Sequence, residues 1–232
     1  MAQFGFGPPI YCETPDSSVG AVFPIEPANT VSNAVIVMFG LLALYFVIKR
    51  TPRAYDLYFL CALLIANGIG SGLWHGLRDR GALIFEVQAG LFVLFGIAFC
   101  WSRRLWSYAG AAGFLLAFLV GFRLSQELLG SAPRWVAIAP LVIFAGSVLA
   151  AQTAFRSKKA AMLGVAGMAS SLTALGFRTV DLEACQYILI GTHFLWHMFN
   201  SGGAFLAILA MIALQTEGAT KRRRGAVEDP AQ

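Results

Sequence analysis

Charged residues are scarce in this chain of 232 residues: Asp, Glu, Lys and Arg make up only 12%, about half the share found in soluble domains. Since 58% of the residues are hydrophobic, an ordinary soluble fold is excluded. The sequence also lacks heptads and a fixed repeat period, which excludes coiled coils and solenoids. No basic region followed by a short apolar run opens the chain, so we expect no cleavable signal peptide.

What the sequence does contain is a series of apolar runs long enough to cross a bilayer. Seven are recognised, at roughly 29–48, 56–76, 83–101, 106–123, 134–154, 159–177 and 184–214. Irregular backbone cannot face lipid, so these runs predict an all-α bundle of seven transmembrane helices. The predicted domains are an extracytoplasmic segment (1–28), a membrane domain (29–216) and a disordered tail (217–232).

Basic residues are unevenly divided between the two sides of this bundle. Twelve of the 17 Lys and Arg residues lie after the first, third, fifth and seventh helices, and five lie on the other side. Positive charge marks the cytoplasmic side, which predicts the N-terminus outside and the C-terminus inside. The net charge of +5 therefore reflects topology and not nucleic-acid binding. The compact, Ala- and Gly-rich chain favours a bacterial inner membrane.

Histidine is rarer still, and all three residues fall in apolar segments: His75, His193 and His197. His193 and His197 share one helix face because they are four residues apart. With a helix start near Glu183, His193 would lie about 15 Å along the seventh helix. His75 lies toward the outer end of the second helix. Three imidazoles in one half of the membrane predict a metal site, and zinc suits nitrogen ligands better than magnesium or calcium.

Other interpretations of the histidines remain open. Intramembrane histidines also link helices by hydrogen bonds. Haem is a second possibility, although an i, i+4 pair on one helix is poor geometry for axial ligation. Ser71 precedes His75 by one turn, and Glu86 is the only carboxylate well inside its apolar run. Both are candidate catalytic residues, whereas Ser71 would otherwise bond a carbonyl of its own helix.

The four cysteines fall into two groups. Cys61 and Cys100 lie inside helices and are expected to be buried thiols. Cys12 and Cys185 both fall on the predicted outer side, where oxidising conditions permit a disulfide. The residues alone leave open whether these two are bonded.

Three motifs in this order resemble the alkaline ceramidases, zinc amidases of a superfamily that includes adiponectin receptors and Per1-like proteins. The first is Tyr11-Cys12-Glu13 followed by Glu26-Pro27-Ala28-Asn29. The second is Ser71-x-x-x-His75 with an acidic residue eleven positions later, and the third is His193-x-x-Trp196-His197. The resemblance covers most of the chain in outline.

This resemblance implies a set of roles. His75, His193 and His197 would bind zinc, Ser71 would stabilise the oxyanion, and Glu86 would be the general base. It also implies a Cys12–Cys185 disulfide. The family's eukaryotic members bind calcium through an N-terminal cluster that Glu13 and Glu26 match. Ile10 and Pro15 lack the oxygens that such a site needs, and Asp16 would have to compensate. The same acids are otherwise simply solvated. Glu86 also departs from the family's usual Asp.

The expected function is hydrolysis of a lipid amide, most simply ceramide, to a fatty acid and an amine base at a site in the outer half of the membrane. The expected partners are the lipid substrate and the membrane itself. Two alternatives are a receptor with the same histidine triad and a structural protein with a metal-stapled core. The structural protein has no need for Ser71 and Glu86. The predicted N-out orientation argues against the receptor, because the resemblance implies that the receptor branch is inverted.

Overall fold

The computed structural model describes residues 10–15, 22–129 and 138–228, with side chains up to residue 218. The described part of the chain is helical and contains no strand. Its seven helices are α1 (Pro27–Arg50), α2 (Tyr55–Leu77), α3 (Arg80–Leu105), α4 (Tyr108–Leu128), α5 (Ala139–Ala154), α6 (Lys158–Ala184) and α7 (His193–Glu228). The predicted all-α class is confirmed.

Six of these helices, all except α5, are long and apolar enough to cross a membrane. The helix α5 is apolar but has 16 residues, and residues 130–137 before it lie outside the described part. The protein is therefore a multi-pass membrane protein. Helix α7 continues past the predicted domain boundary at 216, and the division into domains stays a prediction.

The bundle is held together by two well-packed helix pairs, α1 with α2 and α6 with α7, and by contacts between α1 and α7. Side chains such as Leu57, Leu60 and Ile208 are completely buried where these helices meet. Helices α6 and α7 approach at Gly167 and Gly203, where an added Cβ on either residue would lie under 3.0 Å from the other's carbonyl oxygen. Small residues allow such close contact between helices in membranes.

The predicted boundary between the last two helices is wrong. Helix α6 continues to Ala184, not 177, and α7 begins at His193, not 184. The part of α6 beyond the predicted end contains Arg178 and Asp181, and charged residues are unfavourable in lipid. Both side chains are instead buried in the protein, with 9% and 1% of their surface exposed. His193 is therefore the first residue of its helix and does not lie about 15 Å along it.

Hydrogen bonds and a disulfide attach the segment before α1 to one side of the bundle, where α2 ends and α7 begins. The amides of Ile25 and Glu26 donate to the carbonyl oxygens of Gly76 and His75 at 3.1 Å. A disulfide joins Cys12 to Cys185, whose Cα atoms are 5.4 Å apart. Residues far apart in sequence thus meet at one end of the bundle.

Candidate metal centre

Helices α2 and α7 bring the three histidines into one cluster. The ring centroid of His75 lies 5.1 Å from that of His193 and 4.8 Å from that of His197. The two rings on α7 are 4.6 Å apart, as expected for residues one turn apart. All three side chains are almost completely buried. One possible ligand atom from each ring can be chosen so that all lie within 4.8 Å of one another.

Neighbouring side chains orient two of the rings. Nδ1 of His75 contacts a carboxylate oxygen of Glu26, and Nδ1 of His197 lies 2.7 Å from the hydroxyl of Ser32. That hydroxyl donates its single proton to the carbonyl oxygen of Asn29 at 2.8 Å, so it accepts from His197. In both rings the proton is therefore on Nδ1, and the lone pair is on Nε2, facing the cluster. Ligand histidines in metal sites are usually held in this way.

The chemistry of this cluster fits a divalent transition metal. Nε2 of His75, Nε2 of His197 and Nδ1 of His193 are buried, and none has a hydrogen-bond partner among the described side chains and backbone. Buried polar atoms without a partner are costly, and a bound ion would give all three a partner at once. Three neutral imidazoles form a known catalytic zinc arrangement with one open position. Zinc therefore fits these residues better than cations that prefer oxygen.

Ser71 and Glu86 meet beside this cluster. The Ser71 hydroxyl donates to Oε1 of Glu86 at 2.9 Å, and Ser71 lies one turn before His75 on α2. The other carboxylate oxygen of Glu86 is buried and has no protein partner within the described residues. The two candidate catalytic residues are thus brought together.

Close packing of α2 and α3 fixes the position of Glu86. A Cβ added at Gly70 would lie 3.2 Å from the backbone nitrogen of Glu86 and closer still to the ring of Phe85, so the helices touch here. The amide group of Asn67 donates to the carbonyl oxygen of Glu86 at 3.0 Å. The sequence analysis missed Asn67, although a polar residue one turn before Ser71 in an apolar run was a usable signal.

Asp181 is a second functional residue that the sequence analysis missed. One carboxylate oxygen accepts from the amides of Thr192 and His193 at 2.7 and 2.8 Å, and the other accepts from the amide of Cys12 at 3.1 Å. The first two donors belong to the start of α7, where a negative charge is favourable. Just before them, Gly191 adopts φ +64°, a left-handed conformation that glycine tolerates. Asp181 thereby fixes where His193 begins its helix.

Tyr11 covers the cluster from the N-terminal segment. Its ring stacks on that of His193 with centroids 4.1 Å apart, and it lies 5.0 Å from the ring of His75. The Arg178 guanidinium carbon is 4.5 Å from the Tyr11 ring centre. Burial raises the pKa of the Tyr11 phenol, so it stays protonated at neutral pH. The disulfide at the next residue, Cys12, keeps this ring over the histidines.

The acids predicted for calcium have protein partners. The Glu13 carboxylate accepts from the amides of Ala28 and Asn29 at 2.8 and 2.7 Å, at the start of α1. Glu26 is completely buried. Although burial raises the pKa of Glu26, its contacts with His75 and Arg78 outweigh that effect and lower it. Asp16 lies outside the described residues. A calcium site at these acids therefore stays a prediction.

We expect Asp181→Asn to loosen the start of α7. An amide side chain has one acceptor oxygen where the carboxylate has two, so at least one buried backbone amide loses its partner, at a cost of about 1–3 kcal/mol. The midpoint temperature of thermal unfolding and the metal content of the purified protein would both fall. The matched control is Glu183→Gln, since Glu183 is exposed on the same helix. Unchanged metal content in Asp181→Asn would contradict the assigned role.

The fold and this cluster together define a class of protein: a multi-pass membrane protein with a buried three-histidine centre that can hold a metal ion. The family model described as Ceramidase matches residues 11–227. The chain therefore belongs to the ceramidase family, and this membership implies amide hydrolysis. No curated protein matches the chain significantly.

Proposed function

We propose that this protein is a zinc-dependent hydrolase that cleaves the amide bond of ceramide or a related N-acyl lipid. The observation that carries the proposal is the pairing of three buried imidazoles with a partly buried Ser71–Glu86 hydrogen bond. Family membership supports the reaction class, and the nitrogen donors favour zinc among divalent ions. The charge asymmetry of the loops supports a site in the outward-facing half of the membrane, and the compact, Ala- and Gly-rich chain supports a bacterial inner membrane.

His75, His193 and His197 would hold the ion. When bound, it supplies Lewis acidity that polarises the amide carbonyl and makes water more acidic. The protein's own residues supply the remaining chemistry. Contacts with Glu26 and Ser32 orient two of the imidazoles, and the ring of Tyr11 covers the cluster.

Glu86 would act as the base that accepts a proton from the attacking water. The water oxygen bonds to the amide carbon, the carbon–nitrogen bond breaks, and Glu86 returns the proton to the departing amine nitrogen. Ser71 now donates to Glu86, which keeps the carboxylate oriented before substrate binds. To stabilise an oxyanion, its hydroxyl would have to turn toward the substrate.

A purely structural role for the histidine cluster is less consistent with these contacts. A metal ion with a purely structural role needs its ligands and their hydrogen-bond partners. It does not need the second carboxylate oxygen of Glu86, which is buried and has no partner in the described part of the chain. A receptor would also keep the histidines, so the histidines alone do not distinguish a receptor from an enzyme. Measuring hydrolysis distinguishes them.

Metal removal tests the proposal directly. We expect the purified protein to contain about one zinc per chain and to release free fatty acid from ceramide in detergent or lipid discs. A strong chelator should abolish that release, and zinc should restore it, while magnesium or calcium should not. Fatty-acid release by fully metal-free protein would contradict the zinc role. Intact metal binding without hydrolysis of any N-acyl lipid would favour the receptor or structural alternative.

A further inference from the structure

A buried ion pair lies behind the histidine cluster and takes no direct part in the proposed reaction. Nη1 of Arg78 is 3.0 Å from Oε1 of Glu26, and the two side chains are 4% and 0% exposed. The other carboxylate oxygen of Glu26 contacts Nδ1 of His75. One carboxylate thus connects an arginine to an imidazole whose remaining nitrogen faces the proposed metal.

The backbone at Arg78 indicates that the side chain matters. Arg78 follows the last residue of α2 with φ 55° and ψ 33°, a left-handed conformation. Among the described residues other than glycine, it is the one with positive φ. Glycine is the usual residue where a helix ends in this way, because a Cβ is unfavourable there. An arginine at such a position accepts backbone strain and delivers its guanidinium to a buried site.

Two further contacts hold the guanidinium in place. It stacks over the indole of Trp74 at 3.9 Å from the ring centroid, and it lies 5.6 Å from the ring centroid of Tyr11. Arginine is suited to this arrangement because its planar group stacks on aromatic rings while it pairs with a carboxylate. On the other side, Glu26 also accepts from the Thr14 hydroxyl at 2.7 Å. The ion pair therefore joins α2 to the N-terminal segment.

We propose that Arg78 is a positioning residue for the metal centre, acting on His75 through Glu26. By fixing the Glu26 carboxylate, the guanidinium holds His75 with its proton on Nδ1 and its lone pair directed toward the other two histidines. The ion pair and ring contacts described for Arg78 are with Glu26, Trp74 and Tyr11, so it acts through another residue and is not a catalytic residue. This inference rests on the proposed metal role of the triad.

The test measures zinc affinity of the full-length purified protein, by competition with a chelator, separately from hydrolysis. We expect Arg78→Met to weaken zinc binding by about tenfold, the lower end of the effect of removing a direct partner of a metal ligand, because Arg78 acts one residue further out. The matched control is Arg80→Met, since Arg80 is exposed two residues later, and its affinity should equal that of the wild type. If the zinc affinity of Arg78→Met is within twofold of that of Arg80→Met, the inference is overturned.

A double substitution tests the route of the effect. If Arg78 acts through Glu26, combining Arg78→Met with Glu26→Gln should weaken zinc binding little more than Glu26→Gln alone. Fully additive losses would overturn the inference, because they would mean that Arg78 acts independently. Should Arg78→Met fail to fold, Arg78→Gln replaces it under the same criteria. A wild type that binds no zinc refutes the proposed function instead, so the two failures are distinguishable.

Discussion

Replacing His197 by alanine is expected to eliminate both metal binding and hydrolysis. The buried cluster offers three imidazoles from this chain, and two cannot hold an ion firmly against competing water and buffer. Since a metal ion supplies several kcal/mol of transition-state stabilisation, the rate should fall by roughly a thousandfold or more. Metal analysis and fatty-acid release, measured on the same preparation, test both expectations.

Ser32→Ala provides the comparison for this variant. It removes the hydrogen-bond partner of His197 but leaves the ligand, so we expect only about a 10–100-fold loss of metal affinity or activity. Saturating zinc should restore much of the Ser32→Ala activity and none of the His197→Ala activity. If His197→Ala keeps a full complement of metal, the three-histidine centre is disproved.

Glu86→Gln is expected to separate metal binding from chemistry. The amide is nearly the same size as the carboxylate but cannot accept a proton, so kcat should fall by about a hundredfold to ten-thousandfold. Metal content should remain that of the wild type, because Glu86 is not one of the clustered ligands. Rates and KM for ceramide, with zinc content determined in parallel, provide the measurement.

Two further variants sharpen this experiment. Glu86→Asp keeps a carboxylate but shortens its reach toward Ser71, now 2.9 Å from the Glu86 oxygen, so activity should be intermediate. Glu127→Gln changes an exposed carboxylate near the end of α4 and should leave kcat unchanged. Wild-type rates in Glu86→Gln would show that another group accepts the proton.

The sequence predicted the helices and the histidine cluster because both depend on strong local signals. Long apolar runs identify membrane helices, and the spacing of His193 and His197 places both rings on one face. The pairing of Ser71 with Glu86 was less certain, because it depends on the close approach of α2 and α3 at Gly70. Such an approach is a property of the packed bundle and not of either helix alone.

Other parts of the site could not be predicted because their partners are distant in sequence. The Asp181 carboxylate accepts a hydrogen bond from the amide of Cys12, 169 residues away, and Glu26 contacts the ring of His75, 49 residues away. Intramembrane charge marked Asp181 as unusual but gave no partner. The misplaced start of α7 has the same cause: the apolar residues 187–190 resemble a helix, yet Asp181 accepts hydrogen bonds at His193 and fixes the first turn there.

The disulfide between Cys12 and Cys185, separated by 173 positions, sets an order of assembly. Cys12 is synthesised long before its partner Cys185. Two of the three histidines also belong to α7, the last helix to be made. A chain synthesised only as far as α6 therefore holds one of the three histidines, and the cluster can form only after α7 has been made.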